Sequence, residues 1–210
     1  MADPISDVYL VDDDISVRES LEAVLVEEGF SVRTFDSAEH LLTGIYKSFP
    51  YCLVSDVRLP GLDGLQLQQL LTVKCPSLPV IFITGVGDIP MSVRAMKNGA
   101  IEFLTKPFAD SALIEAVRAG VSAGKKLRSI EADLHTLRTR YSHLTPRERD
   151  VLPLVVAGFA NKNVGFELGI SEITVKAHRK SVMRKLKANS LASLIQMAIK
   201  LELLTERQLS

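Results

Sequence analysis

Val8-Tyr-Leu-Val-Asp-Asp-Asp14-Ile-Ser-Val-Arg-Glu-Ser-Leu-Glu-Ala-Val-Leu-Val-Glu27 changes period at its three carboxylates. Before them stands a four-residue apolar run. After them Val17, Leu21, Val24 and Leu25 recur at helical spacing, the stripe of an amphipathic helix. The stretch therefore predicts a buried strand feeding a helix. The alternation continues through apolar runs from Ser31 to Phe35, Cys52 to Val54, Val80 to Ile83 and Ile101 to Leu104. Helix-period segments from Leu65 to Val73 and Met91 to Met96 stand between some of them. For the latter helix, Asp88 offers a cap, Pro90 a first-turn proline, Lys97 a cation at the negative end and Gly99 a stop. Five strands alternating with helices predict an α/β doubly wound five-stranded parallel sheet.

In such a sheet, ligands bind beyond the carboxyl ends of the strands, so the residues just past each apolar run are the ones to examine. They are Asp12, Asp13 and Asp14 after the first run, Asp56 after the third, Thr84 with Gly85 after the fourth, and Lys106 with Pro107 after the fifth. Clustered carboxylates repel one another unless a cation intervenes. Magnesium suits a set of carboxylates without His or Cys, and manganese shares that preference. Flanked by such an ion and by Lys106, Asp56 could attack a phosphoryl group and become an aspartyl phosphate, which Thr84 could then hydrogen-bond. Taken singly, Asp14 reads equally well as a helix cap, Lys106 as a solvated loop lysine and Thr84 as a strand-end hydroxyl.

The 210 residues are 47% hydrophobic and 24% charged, which excludes disordered, collagenous and mucin-like chains. Basic and acidic residues balance at 25 each, but not locally. Residues 1–124 hold 9 basic against 17 acidic, residues 125–141 hold 5 against 2, and residues 142–210 hold 11 against 6. An acidic front and a basic rear predict two domains, the second suited to a polyanion. Cys52 and Cys75 fit neither a disulfide framework nor a zinc set. No apolar run approaches a membrane span, and the Met1-Ala-Asp-Pro start is unlike a signal peptide, so a cytoplasmic protein without a membrane partner is expected.

Asp110 can cap a helix through Leu113, Ala116, Val117 and Val121. Beyond it, Leu127, Ile130, Leu134, Leu137 and Tyr141 have the spacing of a coiled-coil seam, or of a linker helix packing on either domain. Gly120 and Gly124 weaken that helix by about 1 kcal/mol each relative to Ala, making them candidate hinges. In the rear, Thr145, Pro146 and Glu148 form a capping box, and Pro153 should kink the helix that follows or loosen one turn of it. Asn161 to Leu168, Gly169 as stop, and a helix capped by Ser171 running to Leu186 make a helix-turn-helix. On the last of these, Val175, His178, Val182 and Leu186 share one sector, with His178 as a core or boundary residue. Lys176, Lys180, Arg184 and Lys187 share another, and no acidic residue occurs from Lys176 to Leu201. A basic face of this kind suits the major groove of DNA, and a solvated helix face is the alternative.

Val11-Asp-Asp-Asp14, Ser55-Asp-Val-Arg-Leu-Pro-Gly61, Thr84-Gly85 and Phe103-Leu-Thr-Lys-Pro107 resemble the receiver domain of two-component response regulators over about Asp7 to Ala123. The run from Thr84 to Lys97 is similar to the FixJ branch in particular. The resemblance implies a flavodoxin-like receiver with Asp56 as phosphoacceptor. It implies magnesium, or another divalent ion such as manganese, among Asp12, Asp13, Asp56 and the Arg58 backbone carbonyl. It further implies Thr84 and Lys106 on the phosphoryl group, a cis Lys106-Pro107 bond, and Phe103 as a rotating switch aromatic where many relatives carry Tyr. Leu144-Thr-Pro-Arg-Glu148, Leu168-Gly-Ile-Ser171 and Thr174-Val-Lys-Ala-His178 are similar to the LuxR/NarL-type DNA-binding domain over about His143 to Leu201. That match implies Lys176, Ala177 and Lys180 at base edges, Lys162, Arg179 and Arg184 at phosphates, and Ser190 to Lys200 as a dimer-contact helix.

The domains expected are a receiver over 5–124, a helical linker over 125–142 and an all-α helix-turn-helix domain over 143–210. The function expected is phosphorylation-controlled transcription regulation, the protein itself not being an enzyme in the ordinary sense. The partners are a sensor histidine kinase, DNA, RNA polymerase and a second copy, which joins on phosphorylation through the surface from Asp88 to Val117. One rival is a magnesium-dependent phosphohydrolase working through an aspartyl phosphate, which would want a carboxylate where Arg58 stands. Another is a DNA-binding regulator independent of phosphorylation.

Overall fold

The computed structural model describes residues 6–45, 49–85 and 89–203. Asp88, the expected cap, and the outer ends of the two expected domains lie outside the described residues. The chain divides into two compact units, Met1–Arg128 and Ser129–Ser210. The first contains β1 (Val8–Val11), α1 (Ile15–Glu27), β2 (Val32–Phe35), α2 (Ala38–Ile45), β3 (Cys52–Asp56), α3 (Gly64–Lys74), β4 (Val80–Thr84), α4 (Ile89–Lys97), β5 (Glu102–Thr105) and the start of α5 (Asp110–Ser142). The second contains the rest of α5, then α6 (Pro146–Val156), α7 (Asn161–Leu168), α8 (Glu172–Leu186) and α9 (Leu191–Lys200). No helix among the described residues is long and apolar enough to cross a membrane.

All five strands are parallel, in the order β2-β1-β3-β4-β5. Each strand points successive side chains to opposite faces, and each face is covered by helices. Val8, Leu10, Cys52, Val54, Ile81 and Ile83 pack with Leu21 and Leu25 of α1 and with Leu113, Val117 and Val121 of α5. Tyr9, Val11, Leu53 and Phe82 face the other way, onto Leu41 and Ile45 of α2 and Leu67 and Leu71 of α3. Burying each large apolar side chain contributes roughly 1.5–3 kcal/mol, so both faces are needed to offset the entropy of ordering the chain. α2 is absent from the sequence expectation. With only two turns, its apolar Ala38, Leu41, Leu42 and Ile45 give a stripe too short to stand out.

Gly120 and Gly124 are not hinges. Both are buried in an unbroken helix, and both bring α5 against the start of β3. A methyl on Gly120 would lie 2.6 Å from the Cys52 sulfur, and one on Gly124 would overlap the Tyr51 carbonyl oxygen. The contact continues along the helix. Lys125 pairs with Asp7 at 2.9 Å, and Arg128 donates to the Phe49 carbonyl at 2.6 Å while stacking over the Tyr51 ring at 4.6 Å. The far end of α5 behaves differently, because Leu137 and Tyr141 belong to the second unit's own core with Val151, Val155, Val164, Val175, Val182 and Leu194. Ile130, between these regions, is 53% exposed.

The two readings of Gly124 differ in sign. If glycine merely loosened the helix, Gly124→Ala would stabilise by about 1 kcal/mol. Steric overlap with a strand carbonyl predicts a loss of about 1–3 kcal/mol or more instead, read as a lower urea midpoint for the first unit. Ser122→Ala, at an exposed position on the same helix, should stay within about 0.5 kcal/mol of the native chain.

Candidate functional site

Strand order dictates where the first site forms. The chain runs from β1 to β2 on one side and then to β3 on the other, so the carboxyl ends of β1 and β3 are neighbours at the switch point. Asp12 follows β1 and Asp56 ends β3. Asp14 caps α1, accepting from the Ser16 and Val17 amides, so the modest reading of that residue is the correct one. Asp12 is fully buried and Asp56 nearly so, while Asp13 is exposed. A carboxylate oxygen from each of the three lies within 4.8 Å of the others. Like charges about 4 Å apart repel by about 4 kcal/mol at the effective dielectric of a protein surface, so this cluster requires counter-charge.

Lys106 supplies part of it. Its ammonium lies 2.8 Å from Asp12 Oδ2 and 3.4 Å from Asp56 Oδ2. The Lys106 amide donates to the Thr84 carbonyl at 2.7 Å, which ties the loop after β5 to the end of β4, and the Lys106-Pro107 bond is cis. Burial pushes the Asp12 carboxyl above its usual range, an effect that Lys106 offsets only in part. Burial alone would lower the Lys106 ammonium, but the bonds and charges of Asp12 and Asp56 outweigh it, and the net shift is upward. The Arg58 amide donates to Asp56 Oδ1 at 3.1 Å, fixing the carboxylate from the side opposite the lysine-facing oxygen. Thr84 is buried at the end of β4. Phe103 is half-buried, its ring 6.4 Å from that of Phe82. Three carboxylates against one ammonium, with only hard oxygen donors, match the chemistry of a hard divalent cation such as magnesium or manganese.

One contact escapes the sequence pattern. Arg18 of α1 donates to the Asp12 backbone carbonyl at 2.6 Å, holding the β1–α1 turn in place. Its only sequence signal is one turn's separation from Asp14, which is shared by many solvated arginines.

The second site lies in the rear unit. Gly169 ends α7 in the left-handed conformation, φ 66°, and Ser171 caps α8 by accepting from the Thr174 amide. Val175, Val182 and Leu186 are buried and His178 is half-buried at the boundary. Lys176, Ala177, Lys180 and Arg184 are exposed on α8, as is Lys162 on α7. Arg179 is half-buried and reaches Asn161 Oδ1 at 3.4 Å, so it also braces α7 against α8. Pro153 lies inside α6, which runs unbroken from Pro146 to Val156; lacking an amide, it leaves the Arg149 carbonyl without its i+4 donor. The capping-box Glu148 does more than cap. It is buried and accepts from Lys185 of α8 at 2.7 Å, locking α6 to α8.

Residues 8–118 match the response regulator receiver domain family, and residues 142–198 match the family described as bacterial regulatory proteins, luxR family. The chain is a response regulator of the FixJ branch. It is 47% identical over 191 residues to nodulation protein W of Bradyrhizobium diazoefficiens, covering 91% of this chain and 84% of that one. It is 37% identical to the transcriptional regulatory protein FixJ of the same organism, covering 95% and 97%. Among solved structures it resembles the response regulator StyR, with a TM-score of 0.80 and 45% identity over 92% of this chain and 98% of that one. Full-length FixJ from B. japonicum gives 0.56 and 38%, over 95% and 98%. The regulator thus joins a receiver to a LuxR-type DNA-binding domain, and the relative FixJ is named a transcriptional regulatory protein.

In this response regulator the Glu148–Lys185 pair predicts a pH dependence confined to the rear unit. Burial pushes the Glu148 carboxyl up, but Lys185, Ser181 and the Thr145 amide outweigh it and bring it from 4.5 to about 2. A depressed carboxyl stabilises the fold fully above its unfolded value, and the contribution is lost as pH falls from about 4.5 towards 2. Thermal unfolding of the second unit should therefore shift downward across that window, and Glu148→Gln should flatten the slope while lowering stability at neutral pH.

Proposed function

We propose that this response regulator accepts a phosphoryl group on Asp56 from a sensor histidine kinase and, so charged, pairs with a second copy to bind DNA through its rear domain. The observation that carries the reading is the carboxylate of Asp56, held between the Arg58 amide and Lys106 and beside Asp12 and Asp13. An Asp56 oxygen attacks phosphorus, the bond from phosphorus to the histidine nitrogen breaks, and that nitrogen leaves with the electron pair. Lys106 offsets negative charge on the transferring oxygens. A magnesium or manganese ion held by Asp12, Asp13, Asp56 and the Arg58 carbonyl would add to that stabilisation. A groove of about 360 Å3 beside Lys106, lined by Val17, Leu21, Pro107 and Phe108, offers an apolar seat for the donor protein.

The product carries about 1.5 to 2 negative charges, which the Thr84 hydroxyl and the Lys106 ammonium would meet as donors. Inward movement of Thr84 leaves room for the half-buried Phe103 to turn, reshaping α4 and β5. Exposed Val93, Met96 and Ile101 on that surface suit contact with a second copy. Dimerisation then joins two weak DNA contacts into one strong one. In the proposed division, 5–124 is the receiver, 125–142 the linker and 143–210 the DNA-binding domain. Lys176, Ala177 and Lys180 face bases, and Lys162, Arg179 and Arg184 meet phosphates. The setting is the cytoplasm, where RNA polymerase is the further partner.

Acetyl phosphate with magnesium should add one phosphate to the native chain and none to Asp56→Asn. The same treatment should convert the native chain to a dimer by sedimentation and tighten binding to a paired site by about 100-fold. Chelating the divalent ion should abolish all three changes. Equal DNA affinity for both proteins, with and without the donor, would instead make the receiver a passive module.

A further inference from the structure

The basic face of α8 has an apolar centre. Ile173, the second residue of the helix, is 79% exposed. At about 100° per residue it lies opposite the buried Val182, while Ala177, Lys180 and Lys176 fall within about 60° of it. Single exposed apolar residues are ordinary. This one is unusual in its surroundings, because cations on the next two turns flank it and exposed Ala177 extends it. Lys176 is held in place by Glu172 at 2.9 Å, one turn back on the same side, so the arrangement is formed before any partner arrives.

Resting on the DNA-binding reading above, we propose that Ile173 and Ala177 form an apolar step that meets the 5-methyl groups of thymine in the major groove and so help determine which sequence is bound. The first turn of a recognition helix is the part that reaches base edges. In the major groove, thymine presents a methyl group that only an apolar side chain recognises favourably, and guanine presents the O6 and N7 acceptors that lysines meet. A face alternating Ile173 and Ala177 with Lys176 and Lys180 therefore fits a half-site with thymine next to guanine. Charge complementarity selects DNA as the occupant. The four side chains lie on the exposed side of the helix, away from its packed face, and a helix of this width fits the major groove.

The test uses the full-length chain and a duplex it enriches from a random pool. The duplex is resynthesised with deoxyuridine at each thymine in turn, which removes one methyl and nothing else. One or two such replacements should weaken native binding about four-fold, the equivalent of one buried methyl. Ile173→Ala should bind the original duplex more weakly by a similar factor, and should be indifferent to at least one of the replacements that weaken the native chain. Its melting temperature should match that of the native chain, since the side chain is largely exposed and outside the rear core. Phe166→Ala, which removes a 90% exposed aromatic from α7, should keep the full deoxyuridine sensitivity. The proposal is overturned if deoxyuridine leaves native binding unchanged, or weakens Ile173→Ala just as much. If no sequence is enriched at all, the DNA-binding reading fails first and this proposal with it, an outcome distinct from the other two.

Discussion

Parallel strand order forces Asp12 and Asp56 together at the one edge of the sheet where adjacent helices diverge, and Asp13 comes with them. Three carboxylates in that space are unfavourable unless cations share it. Lys106 provides one positive charge, and its reach across the edge depends on the loop after β5 being pinned to the Thr84 carbonyl. The site is therefore an electrostatic frustration maintained by the fold. Burial raises the Asp12 carboxyl pKa in spite of the Lys106 contact, which is the electrostatic cost of placing it there. A cluster that holds excess negative charge in a fixed geometry suits a hard divalent cation, which would relieve it.

The features legible in the sequence were those written in local pattern. Apolar runs marked all five strands, and the position of each candidate site residue just past a run located it on the carboxyl edge without knowledge of tertiary contacts. Thr145, Pro146 and Glu148, and Gly169 with Ser171, marked their helix ends because a cap is satisfied within four residues. What escaped depends on distant neighbours. Gly124 reads as a weak point until Tyr51, more than seventy residues earlier, is seen to occupy the space a side chain would need. Glu148 reads as a cap until Lys185 is found against it. Arg18 reads as a solvated residue until it is seen to hold the Asp12 carbonyl.

Helix α5 contributes to two cores. Its first half is fitted to β3 by glycines and by the Arg128 contacts, and its last half carries Leu137 and Tyr141 into the rear core. Neither portion can turn about its own axis without disturbing the core to which it belongs. The stretch near Ile130 is exposed and outside both cores, so a change in bend or winding there disturbs few packed side chains. Flexibility in this helix is therefore assigned by burial rather than by glycine content. The weak helix formers lie where the helix is held most firmly, and the yielding segment is composed of ordinary helix formers with little packed against them.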